Sequence, residues 1–169
     1  MTGKKVVLLG FDLRKPRLAE YTGLTRRVGL SNYLIRHSSL DEVIIPYRTN
    51  LDIILSGTTP PNPAEMVGSQ RMNDFITHAQ EKFDLVIIDS PPVQIVSDPM
   101  PLAAMVSHVL LVVKFGKTQI RDLQETKNIL HHVKASILGV IFNDIKVGRG
   151  YGNYHKYEYY YGYSSSNKK

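Results

Sequence analysis

Two acidic residues directly follow short apolar runs, where a buried strand would deliver them to the edge of a sheet. Asp89 comes after four consecutive apolar residues, a Walker B pattern in which the carboxylate holds Mg²⁺ directly or through water. Asp12 follows a similar run, and Arg14 and Lys15 come next. A carboxylate beside two cations suits a polyphosphate that carries a metal ion. The spacing therefore predicts a site for a metal-bound nucleotide at the carboxyl ends of two strands.

Each acid also has a plainer interpretation. Asp12 could cap a strand-to-helix turn, with Pro16 near the first helical position. Asp89 could simply end a strand, because four apolar residues followed by Asp are a common string. The residues alone leave these alternatives open.

The phosphate cradle that usually accompanies a Walker B acid does not occur in this sequence. A P-loop needs G-x-x-x-x-G-K-[ST], whose glycine amides and lysine enclose the phosphates. The triplet Gly116-Lys117-Thr118 matches the final G-K-[ST] of this motif, but Leu111 stands where the first glycine should be. We therefore predict a turn and a helix cap there. Since Met1 comes only a few residues before the first apolar run, we expect no upstream strand, P-loop and helix within the chain.

Five apolar runs, most of them continuous rather than alternating, predict strands that are buried on both faces of a parallel sheet. Helix-start signals lie between them, at Ser39, Asn62-Pro63, Ser69, Asp98-Pro99 and Thr118. Alternating strands and helices favour a doubly wound α/β fold. We expect one mainly parallel sheet with strands near residues 5–10, 51–55, 84–89, 108–114 and 137–142.

Composition narrows the class of protein. The 169 residues include no cysteine, which excludes disulfides and thiolate metal sites, and no apolar run approaches the ~20 residues of a spanning helix. The net charge is +6, yet five basic and two acidic residues between Asp144 and Lys169 supply half of it. The remainder is mildly basic, which disfavours nucleic acid as a partner.

The C-terminal segment is rich in tyrosine. Seven tyrosines occupy the thirteen positions 151–163 without any apolar periodicity. Such a composition cannot build a core, so we predict an α/β domain at residues 1–147 and an exposed, flexible tail at 148–169. The tyrosines are Tyr151, Tyr154, Tyr157, Tyr159, Tyr160, Tyr161 and Tyr163.

Over essentially its whole length, the chain resembles the bacterial tyrosine kinases of capsular and exopolysaccharide synthesis. The segments that carry the resemblance occur in the family's order: Asp12-Leu13-Arg14-Lys15-Pro16, Pro60 to Met66, the Walker B strand ending at Asp89, Leu138 to Asn143, and the tyrosine tail. The resemblance implies a fold of the deviant P-loop ATPase type, here lacking the first strand and the P-loop.

The resemblance also assigns residues. It implies that Asp12 is the second acid of the Walker A-prime motif and that Asp89 is the Walker B acid, both catalytic and both ligands of Mg²⁺. Arg14 and Asn143 would bind ATP, with Asn143 beside the adenine. The first acid of the usual Asp-x-Asp pair falls on Gly10, so one carboxylate is absent.

The implied function is an ATP-dependent protein-tyrosine autokinase that phosphorylates its own tail tyrosines in trans. The resemblance implies a ring-shaped homo-oligomer, a membrane adaptor or fused transmembrane chain-length regulator, an opposing tyrosine phosphatase, and a cytoplasmic location at the inner face of the membrane. Without a P-loop, this chain alone is expected to be inactive.

Two other classes remain open. A partitioning or cell-division ATPase shares the sheet and the Walker B strand, but it has no need of clustered tyrosines. A non-enzymatic scaffold would only present its tail or a docking surface. Measuring nucleotide binding separates the scaffold from the two ATP-dependent classes.

Overall fold

Strands and helices alternate along the chain in the computed structural model, which describes residues 3–25 and 28–145. The tyrosine tail and the predicted boundary at 147/148 lie outside these residues. The elements are β1 Val6–Gly10, α1 Leu18–Thr22, α2 Leu30–Leu34, α3 Leu40–Val43, β2 Ile44–Arg48, β3 Leu51–Ile54, α4 Pro63–Val67, α5 Gln70–Lys82, β4 Leu85–Asp89, α6 Pro99–Met105, β5 Val109–Lys114, α7 Ile120–His132 and β6 Ile137–Asn143.

The pairing of strands is mainly parallel, as predicted. In one sheet the order is β2-β3-β1-β4, with β1 parallel to both β3 and β4, while β5 and β6 form a second parallel pair. All five predicted strands are present. Strand β2 was not predicted, and it pairs antiparallel with β3 at the edge of the first sheet.

The expectation of one continuous sheet is wrong for the described residues. Helix α6 connects β4 to β5 and contributes to two clusters, because Leu102 packs in the core of the four-stranded sheet and Ala103 packs against β5 and α7. Among residues 3–25 and 28–145, β4 and β5 each have a strand on one side only. Apolar side chains lie exposed along both strands: Leu85, Ile87, Leu110 and Val112.

The main core lies on one face of the four-stranded sheet. Val7 and Leu9 of β1 point into it and pack with α5, whose buried residues are Met72, Phe75, Ile76 and Ala79. These four residues recur at helical spacing in the sequence, which predicts this buried face. Leu8 of β1 faces the opposite side, where it packs with Leu18, Ile53 and Leu55. Strand β1 is therefore buried on both faces, as its continuous apolar run indicated.

Most of the predicted helix starts are present, and their caps explain why. Ser69 accepts a hydrogen bond from the Met72 amide at the start of α5, and Ser39 and Glu42 form a reciprocal capping box on α3. Asp98-Pro99 predicts a short helix through Met105, and α6 does span Pro99–Met105. Within the described part of the chain, no helix is both long and apolar enough to cross a membrane.

The predicted start of α7 needs a correction. Thr118 does not cap the helix, because its hydroxyl accepts a hydrogen bond from the Lys114 amide at 2.9 Å and closes a turn. The spacing of Ile120, Leu123, Leu130 and Val133 predicts that these side chains point inward. Leu123 and Leu130 do pack against β5, but Ile120 is 77% exposed. The first turn of α7 thus projects beyond the apolar cluster.

The buried ring of Phe75 gives the first testable prediction. Phe75→Ala should lower the free energy of unfolding by about 3–5 kcal/mol, because it removes a fully buried ring that stacks edge-on against Tyr33 and leaves a cavity. Urea unfolding followed by circular dichroism measures the change. Phe115→Ala is the matched control, since that ring is 50% exposed, and we expect a loss of under about 1 kcal/mol. Equal losses in the two variants would contradict this packing.

Candidate nucleotide and metal site

The two predicted acids lie at the same edge of the four-stranded sheet. The parallel register pairs Gly10 with Asp89, and the Phe11 amide donates to the Asp89 carbonyl oxygen at 2.8 Å. Asp12 follows immediately. Asp12 and Asp89 line one small surface pocket together with Ser56, which leaves the end of β3. The exits of three neighbouring parallel strands therefore converge here, as the rule for open α/β sheets predicts.

Asp12 uses one of its carboxylate oxygens to shape its own loop. Oδ1 accepts hydrogen bonds from the amides of Arg14 at 3.0 Å and Lys15 at 2.8 Å. The capped-turn interpretation is therefore correct for this oxygen, although α1 begins only at Leu18, two residues after Pro16. Oδ2 makes no hydrogen bond to the described residues and is left for a ligand. Capping and metal binding are compatible here, because each needs a different oxygen.

Gly10 leaves little room for the acid that it replaces. A Cβ atom at this position would lie 3.2 Å from Cδ2 of Leu18 and 3.6 Å from the Ser56 nitrogen. Helix α1 thus covers the place where a first A-prime carboxylate would start. The described residues supply a pair of acids at this edge rather than three.

Asp89 experiences an unfavourable environment for its charge. Partial burial raises the pKa of the Asp89 carboxyl above its ordinary value, and the negative charge of Asp12 raises it further. A cation between the two carboxylates would remove both penalties. A carboxyl group whose pKa is raised both by burial and by a second carboxylate is a candidate cation ligand.

The number of protein ligands fits Mg²⁺ better than other metals. Within the described ranges there is no group of three or more His, Cys, Asp or Glu side chains able to hold a metal ion. Mg²⁺ is usually held by one or two carboxylates, with water and substrate phosphates completing its octahedron. The pair Asp12 and Asp89 matches that donor set.

Arg14 lies close to the acids but is engaged elsewhere. Its Nε donates to Oδ2 of Asp98 at 2.6 Å, and its Nη2 donates to Oδ1 of Asp98 at 3.0 Å. The hydrogen bond and charge of Asp98 raise the pKa of the guanidinium, so it stays protonated. The remaining N–H groups of Arg14 make no hydrogen bond to the described residues and can still meet a phosphate.

The buried Asp98 is a site residue that the sequence did not reveal. It was read only as the start of a short helix, and α6 does begin at the next residue. Its carboxylate makes no capping bond, however, and turns to Arg14 instead. Only the structure pairs two residues that are 84 positions apart.

Asn143 and the triplet at residues 116–118 lie on the second sheet. Asn143 ends β6, and its Oδ1 accepts a hydrogen bond from the Asp144 amide at 2.9 Å, as a turn residue would. The structure does not bring it into contact with Asp12 or Asp89. Gly116 has a φ of 70° within the turn that follows β5, so the predicted turn at this triplet is present. The seven tail tyrosines, Tyr151 to Tyr163, lie outside the described residues.

Comparison with known proteins identifies the family. The chain matches no family model. It is 36% identical to the putative tyrosine-protein kinase EpsB of Ralstonia solanacearum, over 98% of this chain and 23% of that protein. It is 35% identical to the tyrosine-protein kinase YwqD of Bacillus subtilis, over 94% of this chain and 65% of that protein. The crystal structure of the VpsO kinase domain superposes with a TM-score of 0.80 at 30% identity, covering 85% of this chain and 71% of that domain. The chain belongs to the bacterial tyrosine kinases.

This membership is consistent with the predicted fold class. The septum site-determining protein MinD of Pyrococcus horikoshii, in complex with Mg-ADP, is 20% identical with a TM-score of 0.68, a likeness of fold alone. The tyrosine kinase chain thus shares the α/β architecture of the deviant P-loop ATPases. It spans less than a quarter of the EpsB relative and about two thirds of YwqD.

The paired acids lead to a prediction about pH. Asp12→Asn should lower the pKa of Asp89 toward its ordinary value near ~3.9 but not fully, because the substitution removes the repulsive charge and leaves the burial. Carbon-13 NMR titration of the Asp89 carboxyl measures this. In Asp84→Asn, which alters the opposite end of β4, the Asp89 titration should not move.

Stability should follow the same linkage. A raised folded-state pKa means that the folded protein holds the Asp89 proton more tightly, so stability is lost as pH rises through the interval between the unfolded and folded pKa values. Asp89→Asn should therefore unfold at a slightly higher temperature than wild type at pH 7, and the difference should shrink at acidic pH. A variant that is less stable at pH 7 would argue against charge strain at Asp89.

Proposed function

We propose that this chain is the acid-bearing part of an ATP-dependent protein-tyrosine autokinase, in which Asp12 and Asp89 hold Mg²⁺ and the tail tyrosines accept the phosphoryl group. The observation that carries the proposal is the β1–β4 register, which pairs Gly10 with Asp89 so that Asp12 and Asp89 line one pocket at the carboxyl edge. Membership of the bacterial tyrosine kinases supports the reaction class.

Phosphoryl transfer depends more on positioning and charge neutralisation than on covalent chemistry. Bound Mg²⁺ would supply positive charge to the phosphate oxygens. Asp89 would hold the ion from the end of β4, and the free Oδ2 of Asp12 would face it from the β1 loop. The N–H groups of Arg14 that Asp98 leaves unused would meet the polyphosphate, and Asn143 would contact the adenine.

The attacking group is a tyrosine hydroxyl, which is almost fully protonated at neutral pH because its pKa is about 10. A carboxylate within hydrogen-bond reach of the hydroxyl accepts its proton as the new O–P bond forms, while the bond between the γ-phosphorus and the bridging oxygen breaks and ADP leaves. We assign this role to Asp12 in addition to its role at the metal. Gly10 offers no second carboxylate in the A-prime motif, so the two roles fall on one residue.

The phosphate cradle must come from outside the 169 residues, since they contain no G-x-x-x-x-G-K-[ST]. Among the described residues, β4 and β5 each have a free edge, with the exposed apolar residues Leu85, Ile87, Leu110 and Val112 beside them. A parallel strand paired with both edges would end at the same edge of the sheet as Asp89, and a P-loop following it would meet the acids.

The tail connects catalysis to assembly. Each phosphorylated tyrosine adds about −1.5 to −2 charges, so modification of the seven tyrosines would turn a mildly basic segment strongly acidic. We propose that this repulsion loosens a ring-shaped homo-oligomer and that a tyrosine phosphatase reverses it. The proposed setting is polysaccharide synthesis and export at the inner face of the membrane, with a membrane adaptor or a fused transmembrane regulator as partner.

The first test concerns the chain as it stands. We expect it to bind ATP·Mg²⁺ weakly or not at all, because the acids at residues 12 and 89 can hold a cation while no residue of the sequence encloses the phosphates. Isothermal calorimetry gives the affinity. A micromolar dissociation constant would contradict the proposal that the phosphate cradle lies elsewhere.

The second test uses a protein in which a P-loop segment precedes this chain. Asp89→Asn and Asp12→Asn should each abolish tail phosphorylation by weakening the Mg²⁺ site, with Asp12→Asn unusually severe because Gly10 cannot compensate. Asp84→Asn is the matched control, since it alters an exposed carboxylate at the far end of β4. Wild-type phosphorylation in Asp12→Asn would contradict the catalytic assignment.

The same protein tests transfer in trans. A kinase whose tail tyrosines are all Phe is mixed with an Asp89→Asn partner that keeps its tail, and phosphotyrosine should appear only on the partner. A flexible tail in an assembly gives a neighbouring site a high effective concentration. Phosphorylation that requires site and tail in one chain would refute transfer in trans, and no phosphotyrosine in any mixture would favour a switching ATPase.

A further inference from the structure

The ion pair between Arg14 and Asp98 joins a half-exposed cation to a buried carboxylate. Asp98 directly precedes α6, where an aspartate can accept hydrogen bonds from the first helical amides, but Pro99 and Pro101 have no N–H and the Met100 amide donates to the Ser97 carbonyl oxygen. Here it makes no such bond, and both of its oxygens receive N–H groups of the Arg14 guanidinium, at 2.6 and 3.0 Å. Asp98 is only 4% exposed, whereas the Arg14 side chain is 45% exposed. The buried Asp98 carboxylate thus has its hydrogen-bond partner in another loop.

The pair joins the two loops that carry the candidate metal ligands. Arg14 lies in the loop after β1, and its amide and the Lys15 amide orient the Asp12 carboxylate. Asp98 ends the loop that begins just after Asp89. At their bases the two loops are already joined, because the Phe11 amide donates to the Asp89 carbonyl oxygen. The Arg14–Asp98 ion pair joins the same two loops farther from the sheet. The loops that carry Asp12 and Asp89 are therefore connected at two points.

We infer that Arg14 and Asp98 form a positioning clamp, which holds the loop of Asp12 against the loop that follows Asp89 and so fixes the separation of the two carboxylates. Asp98 then belongs to the site although it does not face the pocket. The expected effect of the clamp on cation binding by Asp12 and Asp89 rests on the proposed function. The clamp itself depends only on contacts within the described residues.

The chemistry of the pair makes arginine specific. A guanidinium presents two parallel N–H groups to one carboxylate, whereas a lysine ammonium offers a point charge on a flexible stem. If the pair served only to neutralise buried Asp98, lysine would replace Arg14 without loss. If it holds a loop in one geometry, Arg14→Lys should loosen that loop although the charge is kept.

The experiment compares Arg14→Lys, Arg14→Gln and Asp98→Asn in the full chain, with Lys82→Gln as the matched control. Lys82 pairs with Asp41 in an exposed ion pair between α5 and α3, away from the acid edge. The readout is the rate at which the amides of Arg14 and Lys15 exchange with water, measured by NMR. The Leu9 amide of the β1 ladder reports on global opening.

We expect exchange at residues 14 and 15 to accelerate by about tenfold or more in Arg14→Lys and Asp98→Asn, while Leu9 and the Lys82→Gln control remain as in wild type. Unchanged exchange at both amides in Arg14→Lys would overturn the clamp, and so would parallel acceleration at Leu9, which indicates a merely global role. Should Arg14→Gln fail to fold with its buried carboxylate unpaired, Arg14→Lys and Asp98→Asn decide the question.

A second measurement separates the clamp from the proposed function. Mn²⁺ is titrated as a paramagnetic probe, and line broadening is followed at the amides near Asp12 and Asp89. Asp89→Asn should abolish selective broadening, and Arg14→Lys should require several-fold more Mn²⁺ for the same effect. Broadening that is unaffected by Asp89→Asn refutes the metal site but leaves the exchange result to decide the clamp. If broadening is lost in Asp89→Asn but unchanged in Arg14→Lys, the clamp does not affect cation binding at the acids.

Discussion

The parallel pairing of β1 with β4 determines where the candidate site lies. Its register sets Gly10 opposite Asp89, so that the loops leaving both strands start from the same edge. The alternation of β1 depends on the same pairing, because Val7 and Leu9 enter the main core while Leu8 enters the opposite cluster. A slip of one residue would exchange these faces and move Asp12 away from Asp89. Core packing and site geometry are therefore enforced by one hydrogen-bond ladder.

The negative charges of Asp12 and Asp89 at this edge are not fully balanced by positive charge from the described residues. Asp12 and Asp89 line one pocket together with Arg17, whose Nε lies 4.0 Å from a Glu20 carboxylate oxygen. The Arg14 guanidinium is paired with a third, buried carboxylate. Positive charge therefore has two separate roles here, which are to hold the loops and to neutralise the acids. Arg14 fixes the loops, and the neutralising charge is left to a ligand. The cost appears as the raised pKa of Asp89, a small loss of stability of the kind that functional sites often carry.

The sequence predicted those features that depend on local pattern. Continuous apolar runs located five strands, capping residues located α3 and α5, and the Asp-Pro pair located α6. It missed β2, because two isoleucines followed by Pro46 are too short a signal, and proline is tolerated there only since β2 is an edge strand. The sequence did not predict that the strands divide between two sheets, because an apolar run does not show which other strand it pairs with. Asp98 was misread for a similar reason: Asp-Pro is a complete local explanation, and its true partner is distant.

The order of the strands in the first sheet has a consequence for synthesis. Strand β1 is made before both of its neighbours, yet it lies between β3 and β4, and the Lys5 amide bonds to an Asp84 carboxylate 79 residues later. At about 5–20 residues per second, β1 waits roughly 4–16 s for that neighbour. During this time its apolar residues and one hydrogen-bonding edge are available to other nascent chains or to chaperones. The acid pair, too, forms only once β4 has been made, because Asp89 ends that strand.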